Sequence, residues 1–216
     1  MTFNPKAIPL QEFKLLPENL EGLHVLEFGN KGNKNGLYRN DYVSAGVASY
    51  HCVDINGQDG AIPVDLRSES AADQIREASG MDSFDLITNF GMSEHIPVQR
   101  TFYKCIHELA DVGTRIVHWT PAARKFREHG NQGSIWHAEE NFFDALSFHN
   151  EYTIERKSEI YDKRILNTRL RIDEKTDFVW NEDFDSLFWY NELWLKSPWG
   201  EHYRRTKDKR VFETIE

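Results

Sequence analysis

The sequence predicts an α/β protein, a doubly wound and mostly parallel sheet that ends in an antiparallel hairpin and is followed by an aromatic C-terminal helix. Three observations carry this. From Leu23 to His149, short apolar runs alternate with stretches of helical spacing. Two later strand-like runs, YTIERKSEI and RILNTRLRI, are separated only by YDK, too little for a helical crossover, so they pair antiparallel. The first apolar run, in VLEFGNKGN (Val25–Asn33), empties straight into glycines, as a buried parallel strand does at its carboxyl end.

The elements follow in order. LHVLEFG (Leu23–Gly29) is a buried strand stopped by glycine, and LYRNDYVSAG is a short helix closed by Gly46. ASYHCVDI is a second strand ending in Asp54. AIPVDL is a third, placed at an edge by Pro63, because proline cannot donate to a ladder. SAADQIREASG is a compact helix from Ser70 to Gly80, and SFDLITNF is a fourth strand. VQRTFYKCIHELAD carries Phe102, Ile106 and Leu109 at helical spacing, and GTRIVHWT is a fifth strand stopped by Pro121. A helix covers about 139–149 before the hairpin. One connection resists the scheme: INGQDGA, between Asp54 and Ile62, is too short for a parallel crossover helix. Either that helix is missing or AIPVDL is a loop.

No repeat or linker divides the chain, so residues 1–216 read as one domain: an N-terminal cap (1–22), a core (23–172) and a helical C-terminal extension (173–216). A length of 216 residues suits one domain with a full core. The net charge of −9 argues against a nucleic-acid partner, which a basic field would gather. Cys52 and Cys105 form no CxxC pair, which argues against a disulfide frame or structural zinc. No signal core or membrane-length apolar run is seen, so the expectation is a cytoplasmic protein with no membrane partner.

In an open α/β sheet, ligands bind beyond the carboxyl ends of the strands, where strand order reverses. EFGNKGN stands there, and Gly29 and Gly32 let a ligand approach the backbone. The spacing is G-x-x-G, which a tight structural turn explains equally well. Asp54, at the end of the second strand, is placed to accept hydrogen bonds from ribose hydroxyls. Asp65 and Leu66, in VDL, would meet an adenine amino group and ring face. Each aspartate alone also reads as a loop carboxylate or helix cap. In register after successive strands, the features together favour a nucleoside cofactor.

The ordered motifs VLEFGNKGN, YHCVDING, PVDLR, FDLITNFGMSEHIP and GTRIVHWTP resemble those of class I S-adenosylmethionine-dependent methyltransferases, whose sheet is Rossmann-like. The similarity runs from Leu23 to Ile172 and points to the small-molecule subgroup with Glu-His-Ile/Val-Pro after the fourth strand. It implies S-adenosylmethionine as cofactor, with S-adenosylhomocysteine as product. Glu27, Gly29, Asn30 and Gly32 would then surround its methionine part, Asp54 and Ile55 the ribose, and Asp65 and Leu66 the adenine. Asn89 and Phe90 would flank the methyl group. Two departures stand out: GNKGN replaces the family's G-x-G-x-G, and the second crossover helix is missing.

Methyl transfer requires an aligned nucleophile and, for an alcohol, removal of its proton. GMSEHIP offers Glu94 and His95 as catalytic residues, and histidine titrates near neutrality. The competing reading makes them the start of the next helix, capped by Ser93 or Pro97. Some related enzymes, among them small-RNA 2′-O-methyltransferases, hold a divalent ion with Glu-x-x-Glu-His and a distant histidine. Here Gly91 takes the first position, so Glu94, His95 and His118 make only a partial set and no metal is expected. The resemblance places a substrate loop after the fifth strand, with Trp119, Arg124, His129, Trp136 and His137 on the acceptor side; Trp136 reads equally as packing.

Leu187, Tyr190 and Trp194 recur at helical spacing in the extension, with apolar residues on several sides, which suits a subunit interface (a homodimer) or a lid. The basic run HYRRTKDKR reads as a solvated tail or as a contact for an anionic substrate. The leading function is methylation of a small molecule or glycan at oxygen or nitrogen. The alternatives are a non-catalytic nucleotide-binding domain used in assembly, and an NAD-dependent enzyme, against which the G-x-x-G turn and terminal hairpin weigh. No Asn-Pro-Pro-aromatic motif, the mark of amino-methylating DNA enzymes, follows the fourth strand.

Overall fold

The structure, a computed structural model, describes residues 15–29, 37–123, 136–160 and 165–190. The elements are β1 (His24–Phe28), α1 (Leu37–Ser44), β2 (Ser49–Val53), α2 (Ala71–Ser79), β3 (Phe84–Phe90), α3 (Gln99–Leu109), β4 (Ala110–Pro121), β5 (Trp136–Ala138), α4 (Phe142–Asn150), β6 (Tyr152–Ile160), β7 (Ile165–Ile172) and β8 (Phe188–Tyr190). Six strands form one sheet in the order β2-β1-β3-β4-β7-β6. β1 pairs parallel with β2 and β3, β3 parallel with β4, and β7 antiparallel with β4 and β6. This is the expected mostly parallel sheet closed by an antiparallel hairpin, and its order reverses at β1.

Alternation along the strands makes two layers. Leu26, Phe28, Ile87 and Ile116 face the main core with Ile75 of α2, Phe102, Ile106 and Leu109 of α3, and Phe142, Phe143 and Leu146 of α4. Val25, Leu86 and Val117 face the other way, against Tyr42 of α1 and Leu15 and Leu16. Arg169 in β7 fixes that last segment, donating from Nη1 to the carbonyls of Leu15 (3.0 Å) and Leu16 (2.9 Å).

Two expectations are corrected. AIPVDL is not a third strand. Its only ladder contact is the parallel bridge Val53–Ile62, made by Ile62 N–H to Cys52 O (2.8 Å) and Asp54 N–H to Ile62 O (3.1 Å). Pro63 follows at once and cannot donate, so the ladder stops and β2 becomes the edge. α2 carries the chain from β2 to β3, so the segment between Asp54 and Ile62 holds no crossover helix, as the loop alternative expects. Its place is taken by turns in which Asn56 N–H bonds Asp54 Oδ1 (3.1 Å) and Gln58 N–H bonds Asn56 Oδ1 (2.8 Å), ending in a 3-10 turn at Gln58–Gly60. Gly57, Asp59 and Gly60 have φ of 60°, 53° and 78°, which no helix accommodates.

The second correction concerns the aromatic helix of the extension. Glu182–Leu187 is a 3-10 helix capped by Asn181, and Phe188–Tyr190 is a strand paired antiparallel with Trp136–Ala138. Three consecutive aromatics favour the pleated surface, and Phe188 settles on Phe142 at 4.4 Å between ring centroids. Phe184 is buried, and Phe178, Trp180, Leu187 and Phe188 pack on the main core, so these residues are used within the chain. Trp194, Trp199 and the basic run lie outside the described residues, and with them the rest of the expected helix. No helix among the described residues is long and apolar enough to cross a membrane.

Candidate functional site

The exit of β1 is tied to that of β2. Gly29 N–H donates to Val53 O at 2.7 Å, placing Gly29 beside the end of β2, which Asp54 follows. Gly29 has a φ of 93°, a conformation that favours glycine. Two residues earlier, Glu27 is only 2% exposed and accepts a hydrogen bond from the Tyr50 hydroxyl at 3.1 Å. Burial pushes the Glu27 carboxyl up to about 8, against the opposing pull of that hydrogen bond. A buried acid at this strand exit suits a cationic ligand. Asn30 and Gly32 lie outside the described residues.

Asp54 is half-buried and Ile55 is exposed. Asp65 is also half-buried, and its Oδ1 accepts from Arg67 N–H (3.1 Å) and Arg67 Nε (2.7 Å), with a further contact from Arg67 Nη2 to Oδ2. Arg67 therefore orients the carboxylate. Leu66 is buried in the main core.

The loop after β3 is shaped by Asn89, whose side chain is fully buried. Its Oδ1 accepts from Met92 N–H (3.0 Å) and Ser93 N–H (3.1 Å), and its Nδ2 lies 2.9 Å from Ser93 Oγ and 3.2 Å from His118 Nδ1. Asn89 thus holds the loop from below, while Phe90 beside it is half-buried. Gly91, with φ of 76°, donates to Trp119 O at 3.0 Å. A Cβ at position 91 would lie 3.1 Å from Glu94 Oε1 and 3.2 Å from Trp119 Cζ3, so a side chain here would be crowded as well as strained by the positive φ. Met92 lies over Gly29: its Cβ and Sδ are each 3.6 Å from the point a Cβ on Gly29 would occupy.

Ser93, Glu94 and His95 form their own 3-10 turn, with His95 N–H bonded to Met92 O (3.0 Å). They do not begin α3, and neither Ser93 nor Pro97 caps it. Val98 is its N-cap, and the Gln99 amide instead reaches back to Ser93 O (2.8 Å) and Ile96 O (2.6 Å). Glu94 is buried and His95 exposed. His118 is 1% exposed and stacked on Phe143 at 4.9 Å, and burial lowers its pKa to about 3, leaving a neutral ring. Among the described residues, no group of three His, Cys, Asp or Glu side chains is arranged to hold a metal ion.

On the acceptor side, Trp119 is half-buried against Gly91. β5 closes over this end of the sheet through the Ala122–Ala138 bridge and the bond from Trp136 Nε1 to Pro97 O at 3.1 Å. His137 is fully buried, and Arg124 and His129 lie outside the described residues. The structure therefore groups Glu27, Gly29, Asp54, Asn89 and Glu94 around the carboxyl ends of β1, β2 and β3, and encloses His118 and His137 in protein. Sequence reasoning missed Tyr50, Arg67 and Met92. Tyr50 alternates on the same face of β2 as Cys52, which is opposite Glu27, and Arg67 follows VDL directly, so both had a signal. Met92 had none.

No protein-family model matches the sequence, and no curated protein matches it. Solved structures match by fold. An S-adenosylmethionine-dependent methyltransferase from Mesorhizobium loti aligns with 74% of this chain and 96% of its own, at 13% identity and a TM-score of 0.50. The N-methyltransferase NodS from Bradyrhizobium japonicum WM9, in complex with S-adenosylhomocysteine, aligns with 71% of this chain and 80% of its own, at 15% identity and a TM-score of 0.51. The chain thus has the fold of class I S-adenosylmethionine-dependent methyltransferases.

Proposed function

We propose that the protein is an S-adenosylmethionine-dependent methyltransferase of the Glu-His-Ile/Val-Pro type, acting on oxygen or nitrogen of a small molecule or glycan. The observation that carries this reading is the conjunction at the strand-order reversal. A positive-φ glycine follows a buried acid by two residues, and a hydrogen bond ties it to the residue preceding Asp54. These groups suit the cofactor's parts: Glu27 its ammonium, Asp54 its ribose hydroxyls, and the Arg67-oriented Asp65 its adenine amino group. The bound cofactor would supply an electrophilic methyl group. His95, exposed at the end of its turn, would take the acceptor's proton, and Trp119 would form a wall of the acceptor site.

Asp54→Ala is expected to weaken S-adenosylhomocysteine binding by ~1.5–3 kcal/mol, the scale for hydrogen bonds to a charged group. Asp54→Asn keeps an acceptor for the turn at Asn56 and should lose less. Unchanged affinity in both, with circular dichroism showing an intact fold, would remove Asp54 from the site. The catalytic reading is tested by incubating the protein with methyl-labelled cofactor and a panel of small alcohols, amines and sugars. Incorporation into an acceptor supports an enzyme. Binding without transfer to any acceptor supports the assembly reading instead.

A further inference from the structure

The side chain that rests on the glycine floor is Met92, from the loop that ends β3. Its Cβ and Sδ approach the Cβ position of Gly29 to 3.6 Å and its Cγ to 3.7 Å. The rest of the residue is half-buried and packs on the main core. Its backbone is fixed: Asn89 Oδ1 accepts its N–H at 3.0 Å, its carbonyl accepts His95 N–H at 3.0 Å, and Gly91 before it donates to Trp119 O at 3.0 Å. An adaptable thioether on a rigid backbone thus stands in van der Waals contact over Gly29, the residue that follows β1. A thioether is polarizable and only weakly hydrogen-bonding, so it can wall a sulfonium without offering a strong competing partner.

We propose that Met92 is a specificity-determining residue that sizes the space for the alkyl group on the cofactor's sulfur and restricts it to methyl. Asn89 is a positioning residue that acts by holding Met92. This inference rests on the cofactor reading above. One methylene too many in a filled apolar pocket lowers affinity on the order of 10–200-fold, which sets the expected scale.

The test is calorimetric titration of the full chain with S-adenosylhomocysteine, S-adenosylmethionine and S-adenosylethionine. The unaltered protein should bind the ethyl compound at least ~10-fold more weakly than the methyl compound. Met92→Ala should bind the two comparably. Met92→Leu, of similar volume, should keep the discrimination. Met92→Val replaces the alanine variant if the latter fails to fold. A residue that merely fills the core would lower the melting temperature on truncation and leave the ethyl-to-methyl ratio where it was. That outcome, or no discrimination in the unaltered protein, overturns the proposal while S-adenosylhomocysteine still binds. Absence of S-adenosylhomocysteine binding to the unaltered protein overturns the cofactor reading itself, and this inference with it.

Discussion

Glu27→Gln is expected to stabilise the cofactor-free protein at pH 8 by on the order of 3–5 kcal/mol while weakening its cofactor binding. The carboxyl, raised from 4.5 to about 8 by burial, stays protonated in the folded chain long after the unfolded chain has ionised. Its contribution is therefore fully present below about pH 4.5 and is lost as pH rises through 8. Glutamine can still accept from the Tyr50 hydroxyl, and it has no charge to bury. Urea unfolding at pH 4.5 and pH 8 reads the effect. The variant and parent should be close at the lower pH and diverge at the higher, the parent being the weaker. Parallel stabilities at both values would show that Glu27 is not held as a buried acid. A residue that destabilises the empty protein and serves the occupied one is what a ligand site requires.

His95→Ala is expected to lower turnover by ~100-fold or more, with cofactor affinity nearly unchanged, if His95 takes the acceptor's proton. Its exposure sharpens the test. A surface substitution changes stability by only ~0.5 kcal/mol or less, so the melting temperature should hardly move. His95→Gln can keep a hydrogen bond and cannot carry the proton, so it should be similarly slow. The parent's pH–rate profile should rise through a pKa near neutrality, and that limb should vanish in both variants. Full turnover in His95→Ala would return proton removal to another group.

The centre of the sheet was legible because β1 and β3 are buried on both faces along most of their length and are followed by glycine. VLEF, YHCV and DLITNF are short apolar runs that only a parallel sheet uses so densely. α3 was legible from Phe102, Ile106 and Leu109, all buried. AIPVDL misled because an apolar run of strand length is stopped by one proline after a single bridge. The extension misled for a different reason. FWY fits a short strand as well as a helix face, and its partner, Trp136–Ala138, lies some fifty residues earlier, where no local pattern points to it. In the site, alternation already put Asn89 on the face of Ile87, towards the main core, whereas its role in holding Met92 depends on how the loop closes. The Glu27–Tyr50 bond depends on the register between β1 and β2, which a single sequence does not encode locally.

The most direct test of the central claim is titration of the unaltered chain with S-adenosylhomocysteine, beside NAD as the competing cofactor. The fold alone is compatible with either ligand. The G-x-x-G turn and the buried Glu27 are where the two diverge, since both ligands carry an adenosine and only S-adenosylhomocysteine carries an ammonium. Saturable binding of S-adenosylhomocysteine at one site per chain is expected, strengthening as pH rises through 8 and Glu27 ionises, with NAD silent. Saturable binding of NAD with none of S-adenosylhomocysteine would contradict the claim.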